Sequence, residues 1–252
     1  MEGSPVIRFD HVAFAFGDTL VMKDFCADFE PHAVNCVLGP SGCGKTTLLN
    51  MAAGLLAPTA GAIAAPQTVS YVFQEHRLIP QKTLQANLDF VLRVPYPGKA
   101  QRRAVIDTYL ALAHLDAARD RYPHELSGGM KRRAALIRAF AYPAAALFMD
   151  EPFKGLDIQL HAELMEVFSR LHEQDARTVL FVTHNIEEAV FSADLVHILG
   201  HKPLAAARVI DARTERAQNG ADGLRALIYE ETRKWNKDSG TKGEVSARYA
   251  NG

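Results

Sequence analysis

The residues best suited to chemistry form one short stretch, in which a glycine-rich loop leads into a lysine and two threonines. The stretch is Gly39-Pro40-Ser41-Gly42-Cys43-Gly44-Lys45-Thr46-Thr47, and it fits G-x-x-x-x-G-K-[ST] at every fixed position. Glycines let backbone N–H groups turn inward around phosphate oxygens. Lys45 can reach the β- and γ-phosphates as a point charge, and Thr46 can offer its hydroxyl to Mg²⁺. The stretch therefore predicts a loop that binds a nucleoside triphosphate.

The segments on either side of this loop support the same interpretation. Residues Val34 to Leu38 are typical of a strand, and Leu48 to Ala53 are typical of a helix ended by Gly54. A true phosphate loop lies between a strand and a helix, and this context distinguishes it from a chance match to the motif. The helix N-terminus adds a partial positive charge that favours bound phosphate. A glycine-rich turn with a surface lysine is the ordinary alternative, and the flanking elements argue against it.

Two adjacent carboxylates form a second candidate site. Asp150 and Glu151 follow an apolar segment, 144–149, that we expect to be a strand. Ligands of α/β proteins bind at the carboxyl ends of such strands. There one carboxylate can hold Mg²⁺, directly or through water, and the other can orient and deprotonate an attacking water. Because adjacent acids are also common on surface turns, the hypothesis depends on the strand before them.

Three further side chains stand at the ends of predicted strands. Gln74 follows the strand 69–73, where a polar side chain is well placed to reach an active site. His184 follows the strand 178–183, and its imidazole can donate to a γ-phosphate or order the nucleophilic water. Phe16 is a candidate stacking platform for a purine base. Taken singly, each has an ordinary alternative: a strand cap, a structural histidine and a core aromatic residue.

A second turn with two glycines lies at Leu126-Ser127-Gly128-Gly129-Met130. Ser127 is a good N-cap. Glycines at a helix start could bind phosphate through backbone N–H groups, as proposed for the first loop. The basic run Lys131-Arg132-Arg133 follows. Such a run is usually a solvated helix face, and we expect that here.

Apolar spacing predicts the elements that must position these residues. Strands are expected at 6–9, 12–16 and 26–29 in an antiparallel layer, and at 34–38, 69–73, 144–149, 178–183 and 195–199, the last clear strand. Helices are expected at 48–53, 83–94, 102–115, 131–142 and 224–235, and a loop at 58–61. Residues 236–252 are polar with little to bury, so we expect a frayed or disordered tail.

Composition and net charge argue against several classes of function. The chain has 252 residues, 48% of them hydrophobic, and a net charge of −1, so a general nucleic-acid-binding surface is not indicated. Its three cysteines form no C-x-x-C pair, which disfavours a metal site or a disulfide framework. With no charged-then-apolar leader and no apolar run of about 18 residues, we expect a cytosolic protein that meets a membrane through a partner.

The separate motifs occur in one order along the chain. The phosphate loop is followed by Gln74, Leu126-Ser127-Gly128-Gly129, Leu147-Phe148-Met149-Asp150-Glu151, Gly155-Leu156-Asp157 and His184. From about Val6 to Leu199 this order strongly resembles the ATP-binding cassette of ABC transporters. The resemblance implies an α/β fold: a P-loop NTPase core with a mixed sheet, an N-terminal antiparallel β-layer and a helical subdomain. It implies one ATPase domain over 1–235, with approximately 75–142 inserted as the helical subdomain.

The resemblance also implies ATP and Mg²⁺ as cofactors and a role for each candidate residue. Phe16 would stack on adenine, and the loop from Gly39 to Thr47 would hold the phosphates. Thr46, Gln74 and Asp150 would hold Mg²⁺. Lys45, Gln74, Glu151 and His184 would form the catalytic group, with Glu151 acting on water and His184 contacting the γ-phosphate. Ser127, Gly128 and Gly129 would bind the ATP held by a second copy of the chain, with Asp157 at the same interface, so a working enzyme would be a head-to-tail dimer.

One stretch resembles a particular group of cassettes. Residues 72–80, Val-Phe-Gln-Glu-His-Arg-Leu-Ile-Pro, look like importer cassettes for nitrate, sulfonate, taurine and similar solutes, and Met130 agrees with that. The departures are Gln81 where that group often has Trp, Arg132 where Gln is common, and Lys154-Gly155 in place of a small pair. The implied partners are transmembrane permease subunits and an extracytoplasmic solute-binding protein, with the chain held peripherally at the cytoplasmic side of the membrane.

Four other functions remain as alternatives. A soluble ATPase of DNA repair would carry a long coiled-coil insertion, for which the interval between the phosphate loop and Leu126 is too short, and translation types usually carry two cassettes. A non-catalytic regulatory module would not need intact Lys45, Asp150, Glu151 and His184. An unrelated kinase or GTPase would not need residues 126–129. Exporter cassettes are often fused to membrane spans, which this chain lacks.

Overall fold

The computed structural model describes residues 7–175 and 177–238. Its nine strands form one sheet in the order β4-β1-β2-β9-β8-β3-β7-β6-β5. The strands are β1 Ile7–Phe16, β2 Thr19–Phe29, β3 Val34–Leu38, β4 Ala60–Ala64, β5 Val69–Val72, β6 Ala146–Asp150, β7 Thr178–Thr183, β8 Leu195–Leu199 and β9 Leu204–Asp211. The helices are α1 Lys45–Ala52, α2 Leu84–Leu92, α3 Lys99–Leu112, α4 Gly128–Ala141, α5 Ile158–Gln174, α6 Ile186–Ser192 and α7 Ala212–Asp238.

The sheet is mixed, as the resemblance implies. Strands β8, β3, β7, β6 and β5 run parallel to one another, whereas β1 pairs antiparallel with β2 and β4. Strand β9 joins the two regions, because it pairs antiparallel with β8 and parallel with β2. The α/β fold with an N-terminal antiparallel layer is therefore confirmed.

The core lies on both faces of the parallel strands. Along β3, Cys36 packs with the helices on one face, whereas Val37 packs on the other with α1 and the phenylalanines of β1 and β2. Every residue of β3 and of β7 is buried, which explains the nearly unbroken apolar runs of these strands. Apolar side chains therefore pack on both faces of the sheet. This packing fixes the positions of the residues at the edge where the parallel strands end.

Several predicted bounds need correction. The two predicted strands at 6–9 and 12–16 are one strand over the described residues 7–16. Its pairing with β2 shifts register between Phe9 and Val12, around His11 whose φ is +49°, and again between Val12 and Ala15. Val6 lies outside the described residues. Strand β2 is longer than 26–29, and β4 begins inside the predicted loop 58–61. Helix α4 begins at Gly128 rather than Lys131. Strand β9 shows that 195–199 is not the last strand, and α5 and α6 were not predicted.

The helical region between β5 and β6 contains α2, α3 and α4. Thr83 caps α2 by accepting a hydrogen bond from the backbone N–H of Ala86 at 3.2 Å. Leu88 and Leu110 are fully buried in the cluster that these helices share with the sheet. The assignment of 75–142 as a separate subdomain remains a prediction.

The final helix is longer than predicted at both ends. It runs from Ala212 to Asp238 and changes direction at Gly220, whose φ of +70° is non-helical. Its last three residues, 236–238, overlap the predicted frayed or disordered tail 236–252, and that tail remains a prediction. Residues 239–252 lie outside the described part of the chain. None of the helices within 7–175 and 177–238 combines the length and the apolar character that crossing a membrane requires.

Candidate active site

Three parallel strands deliver the predicted site residues to one edge of the sheet. Leu38 at the end of β3 pairs with Thr183 at the end of β7, and Asp150 at the end of β6 pairs with Val182. The phosphate loop, Glu151 and His184 directly follow these strand ends. This register places the loop, the two carboxylates and the histidine side by side, which the order of motifs alone could not establish.

The phosphate loop wraps around its own lysine. Lys45 is only 5% exposed, and its ammonium donates to the backbone oxygens of Gly39 at 2.8 Å and Pro40 at 3.0 Å. Gly44 precedes α1 with a φ of +117°, and a Cβ there would lie 2.9 Å from the Val21 side chain. Only glycine fits this position. The loop is thereby preformed at the N-terminus of α1, where backbone N–H groups and a cation favour phosphate.

The cysteine inside the loop has a packing role. Cys43 is buried, and its backbone N–H donates to the carbonyl of Pro40 at 3.3 Å. Burial raises the pKa of the Cys43 thiol, although the nearby charge of Lys45 opposes this. Cys43 therefore stays a neutral thiol near pH 7 and belongs to the loop as a packed residue.

Thr46 and Asp150 form the pair best suited to a magnesium ion. The Thr46 hydroxyl lies 3.1 Å from a carboxylate oxygen of Asp150. Burial raises the pKa of Asp150, and the negative charge of Glu151 adds to the effect, whereas the hydrogen bond from Thr46 opposes it. A hydroxyl and a carboxylate oxygen are ligands that Mg²⁺ prefers, so these two residues fit the ion that the sequence implies.

Glu151 is held in an unusual backbone conformation. Its φ is +44°, which non-glycine residues rarely adopt, and its N–H donates to the carbonyl of Val182 at 3.0 Å. One carboxylate oxygen lies 3.4 Å from Nδ1 of His184, and the other forms an ion pair with Lys154. Although burial opposes ionisation, Lys154 and then His184 outweigh it and lower the pKa of Glu151. The side chain is thus a carboxylate near pH 7, the form that a general base needs.

Gln74 lies beside β6 at the same edge of the parallel strands, whereas Phe16 lies in the antiparallel part of the sheet. Gln74 follows β5, which pairs with β6, and it is exposed, with its backbone carbonyl accepting from Arg132 at 2.7 Å. Phe16 ends β1 with 53% of its surface exposed, and its ring meets Phe14 edge-to-face at 4.7 Å. One face of Phe16 is therefore free to stack on a planar ligand.

The second glycine turn forms the start of α4. The Ser127 hydroxyl accepts from the backbone N–H of Met130 at 3.2 Å, so the predicted N-cap is confirmed. A Cβ on Gly129 would lie 2.5 Å from the Leu160 side chain of α5. Leu160 also donates its N–H to Asp157, the N-cap of α5. No hydrogen bond among the described residues joins Ser127, Gly128 or Gly129 to the phosphate loop of the same chain.

Two arginines were wrongly predicted to be a solvated face. Arg132 is partly buried, and its guanidinium donates to the carbonyls of Gln74 at 2.7 Å, Lys154 at 3.2 Å and Pro152 at 3.4 Å. Arg133 donates to the carbonyl of Ala113 at 3.2 Å. The planar guanidinium offers five donors, enough to serve several carbonyls at once. A charge run does not reveal this, because the carbonyls come from distant segments.

Lys154 is the other residue whose contact the motifs did not predict. The sequence marks it only as a departure from the usual small residue, whereas the structure pairs its ammonium with Glu151. A basic residue three positions after an acid, within a turn, is the available sequence signal.

Comparisons with known proteins agree with this geometry. The ABC transporter family matches over residues 22–154. A sulfate/thiosulfate import ATP-binding protein of Ralstonia nicotianae (strain ATCC BAA-1114 / GMI1000) is 39% identical over 208 residues, covering 77% of this chain and 56% of that protein. A nitrate import ATP-binding protein of Synechococcus elongatus (strain ATCC 33912 / PCC 7942 / FACHB-805) is 36% identical over 220 residues, covering 80% of this chain and 33% of that protein.

A solved structure supports the same relationship. It is a dimeric ATP-binding cassette in a post-hydrolysis state with ADP and Pi, with a TM-score of 0.69 and 26% identity over 82% of this chain and 99% of that one. The matching family, the relatives and the shared fold lead to one conclusion: this chain belongs to the ABC transporter family and is an ATP hydrolase of that family.

Proposed function

We propose that this chain is the ATP-binding and hydrolysing subunit of an ABC importer that takes up a small solute through separate membrane subunits. The observation that carries the proposal is the meeting of Lys45, the Thr46–Asp150 pair and the Glu151–His184 pair at one sheet edge. Together they offer what phosphoryl transfer to water needs: a phosphate cradle, ligands for a metal ion and a base.

The hydrolytic step assigns a role to each of these groups. Lys45 and the loop 39–47 hold the triphosphate, and Phe16 stacks on its adenine. Glu151 takes a proton from water as the water oxygen bonds to the γ-phosphorus, and the bond from that phosphorus to the β–γ bridging oxygen breaks. ADP and inorganic phosphate leave. His184 and Gln74 orient the γ-phosphate. Thr46, Gln74 and Asp150 would hold a Mg²⁺ ion, whose chemistry when bound would be to neutralise phosphate charge.

The second glycine turn, in which Ser127 and Gly128 are exposed and Gly129 is buried, supports a dimer. Ser127, Gly128 and Gly129 present a helix N-terminus, yet they make no hydrogen bond to the loop of their own chain among the described residues. Two copies placed head to tail would let each turn bind the ATP of the other copy. ATP would then favour closure and hydrolysis would release it, because the added contacts exist only in the closed state.

The relatives support an importer of small oxyanions. Two of them are named for import of sulfate or thiosulfate and of nitrate, and all of these solutes are small anions rich in oxygen. The chain would sit at the cytoplasmic side of the membrane, bound to permease subunits, with an extracytoplasmic binding protein supplying the solute. The proposed partners do not include nucleic acid.

The proposal is tested by solute uptake in the organism that carries this chain. A deletion strain is complemented with wild type or with Glu151→Gln, and uptake of labelled sulfate, thiosulfate and nitrate is measured. We expect wild type to restore uptake of at least one solute and Glu151→Gln to fail at equal protein levels. Uptake of all three that is unaffected by the deletion would contradict the oxyanion assignment.

The proposed dimer has a separate test. Sedimentation of purified Glu151→Gln with MgATP is expected to show a dimer that reverts to monomer with MgADP. A monomer under both conditions, with ATP bound, would contradict the head-to-tail arrangement.

A further inference from the structure

The turn after β6 brings a lysine back onto the proposed general base. The backbone N–H of Lys154 donates to the carbonyl of Glu151 at 3.2 Å and closes a four-residue turn. The Lys154 ammonium then forms an ion pair with one carboxylate oxygen of Glu151. The Glu151 side chain is only 13% exposed, whereas that of Lys154 is 44% exposed. The carboxylate is therefore enclosed, and Lys154 covers it from the solvent side.

The lysine is the closer of the two partners of this carboxylate. Nδ1 of His184 lies 3.4 Å from the other carboxylate oxygen, which is long for a hydrogen bond to a charged acceptor. Asp150 is the neighbouring residue and carries a charge of the same sign. A glutamate side chain has three rotatable torsions, and a close ion pair fixes it better than a contact of 3.4 Å.

The backbone that carries Lys154 is itself held from α4. Arg132 donates to the carbonyls of Pro152 and Lys154 within the turn, and to that of Gln74 outside it. Arg132 lies in the second turn of the helix that Ser127 caps. The place of the Lys154 ammonium therefore depends on the helix that would face the partner's ATP.

We propose that Lys154 is a positioning residue that holds the Glu151 carboxylate in place for the attacking water. The inference rests on the proposed function, since it takes Glu151 as the base. Lys154 acts through Glu151 and touches neither ATP nor the reacting atoms. Arg132 supports it by fixing the turn.

The test is a double-mutant cycle measured as steady-state hydrolysis of MgATP by the full chain. Lys154→Met removes the ammonium and keeps most of the side-chain length, and Lys154→Arg keeps the charge. Each is made in wild type and in Glu151→Gln. Lys99→Met, an exposed lysine at the start of α3, is the matched control.

We expect Lys154→Met to lower kcat on the order of tenfold with KM for ATP changed by less than about twofold, as for loss of one charge-assisted contact. Lys154→Arg should recover most of the loss, and Lys99→Met should match wild type. In the Glu151→Gln background, Lys154→Met should change the residual rate by less than about twofold, because its target is gone.

The outcomes separate the two proposals. A Lys154→Met rate equal to or above wild type, a loss confined to KM, no recovery by arginine, or an undiminished effect in Glu151→Gln would overturn the role of Lys154. Turnover in Glu151→Gln equal to wild type, or a wild type without turnover, would instead contradict the proposed catalytic function of the site.

Discussion

The hydroxyl oxygen of Thr46 lies 3.1 Å from a carboxylate oxygen of Asp150, joining the first turn of α1 to the end of β6. The two residues are 104 positions apart in the chain. Their contact links the phosphate loop to the acidic strand end, and the two oxygens are the groups that would hold a magnesium ion. Burial raises the pKa of Asp150, so a bound cation would also keep this carboxylate ionised.

Replacing Thr46 by valine should weaken the magnesium requirement specifically. The change removes one oxygen ligand at nearly constant volume, so we expect the Mg²⁺ concentration for half-maximal hydrolysis to rise on the order of tenfold. The measurement is ATP hydrolysis titrated with Mg²⁺ at saturating ATP. Thr108→Val, which removes a hydroxyl bonded only to the Ala104 carbonyl on α3, is the control. An unchanged Mg²⁺ dependence in Thr46→Val would exclude Thr46 as a ligand.

Ser127→Ala should separate helix capping from catalysis. Loss of the hydrogen bond from the Met130 N–H should lower the free energy of unfolding by about 1 kcal/mol. Thr83→Ala removes an N-cap bond of the same 3.2 Å length from α2, so its cost in stability should be similar. Only Ser127→Ala should also lower kcat, because only Ser127 would meet the partner's ATP.

Chemical denaturation and steady-state hydrolysis measure the two effects of these cap variants. Binding of ATP to the monomeric form, followed by fluorescence of a nucleotide analogue, should be equal in both. Equal losses of kcat in the two variants would show that Ser127 serves the helix alone.

A buried histidine should make the fold sensitive to acid. His197 is almost fully buried in β8, with Nε2 3.3 Å from Oδ1 of Asn35 and its ring 4.6 Å from that of Phe29. Burial lowers the pKa of His197 from 6.5 to about 4. Between these values the unfolded chain binds a proton that the folded chain does not, so stability falls as pH drops from about 6.5 to about 4. The full loss corresponds to about 3 kcal/mol.

Urea unfolding of wild type and His197→Gln across pH 4 to 7 checks this. The variant should be less stable at pH 7 but should lose less stability on acidification, because it lacks the titrating ring. Parallel pH profiles for the two proteins would show that His197 contributes nothing to acid sensitivity.

The central strands were predictable because they are buried on both faces and therefore consist almost entirely of apolar residues. Strands β3, β7 and β8 have the bounds that the apolar runs indicate, since strands buried on both faces tolerate few polar residues. Strand β4 could not be found in this way. It consists of alanine, glycine and isoleucine and is mostly exposed, so its place depends on pairing with β1 and not on its own pattern.

Some residues of the candidate site were likewise predictable from sequence, and others were not. Motif matches and positions directly after predicted strands identify the phosphate loop, Asp150, Glu151 and His184 from sequence. Arg132 does not, because its three acceptors are backbone carbonyls in loops that only the folded chain brings together. Lys154 stands out in sequence only as an unusual residue, and its contact with Glu151 forms across a turn that begins at Glu151, whose φ is +44°.

The most direct test of the account is ATP hydrolysis per subunit measured against protein concentration, for wild type and Glu151→Gln. We predict a wild-type rate that rises with concentration, as the dimer forms, and a Glu151→Gln rate lower by about 10²-fold or more with ATP binding retained. A rate that is independent of concentration and survives Glu151→Gln would contradict both the dimeric site and Glu151 as the base.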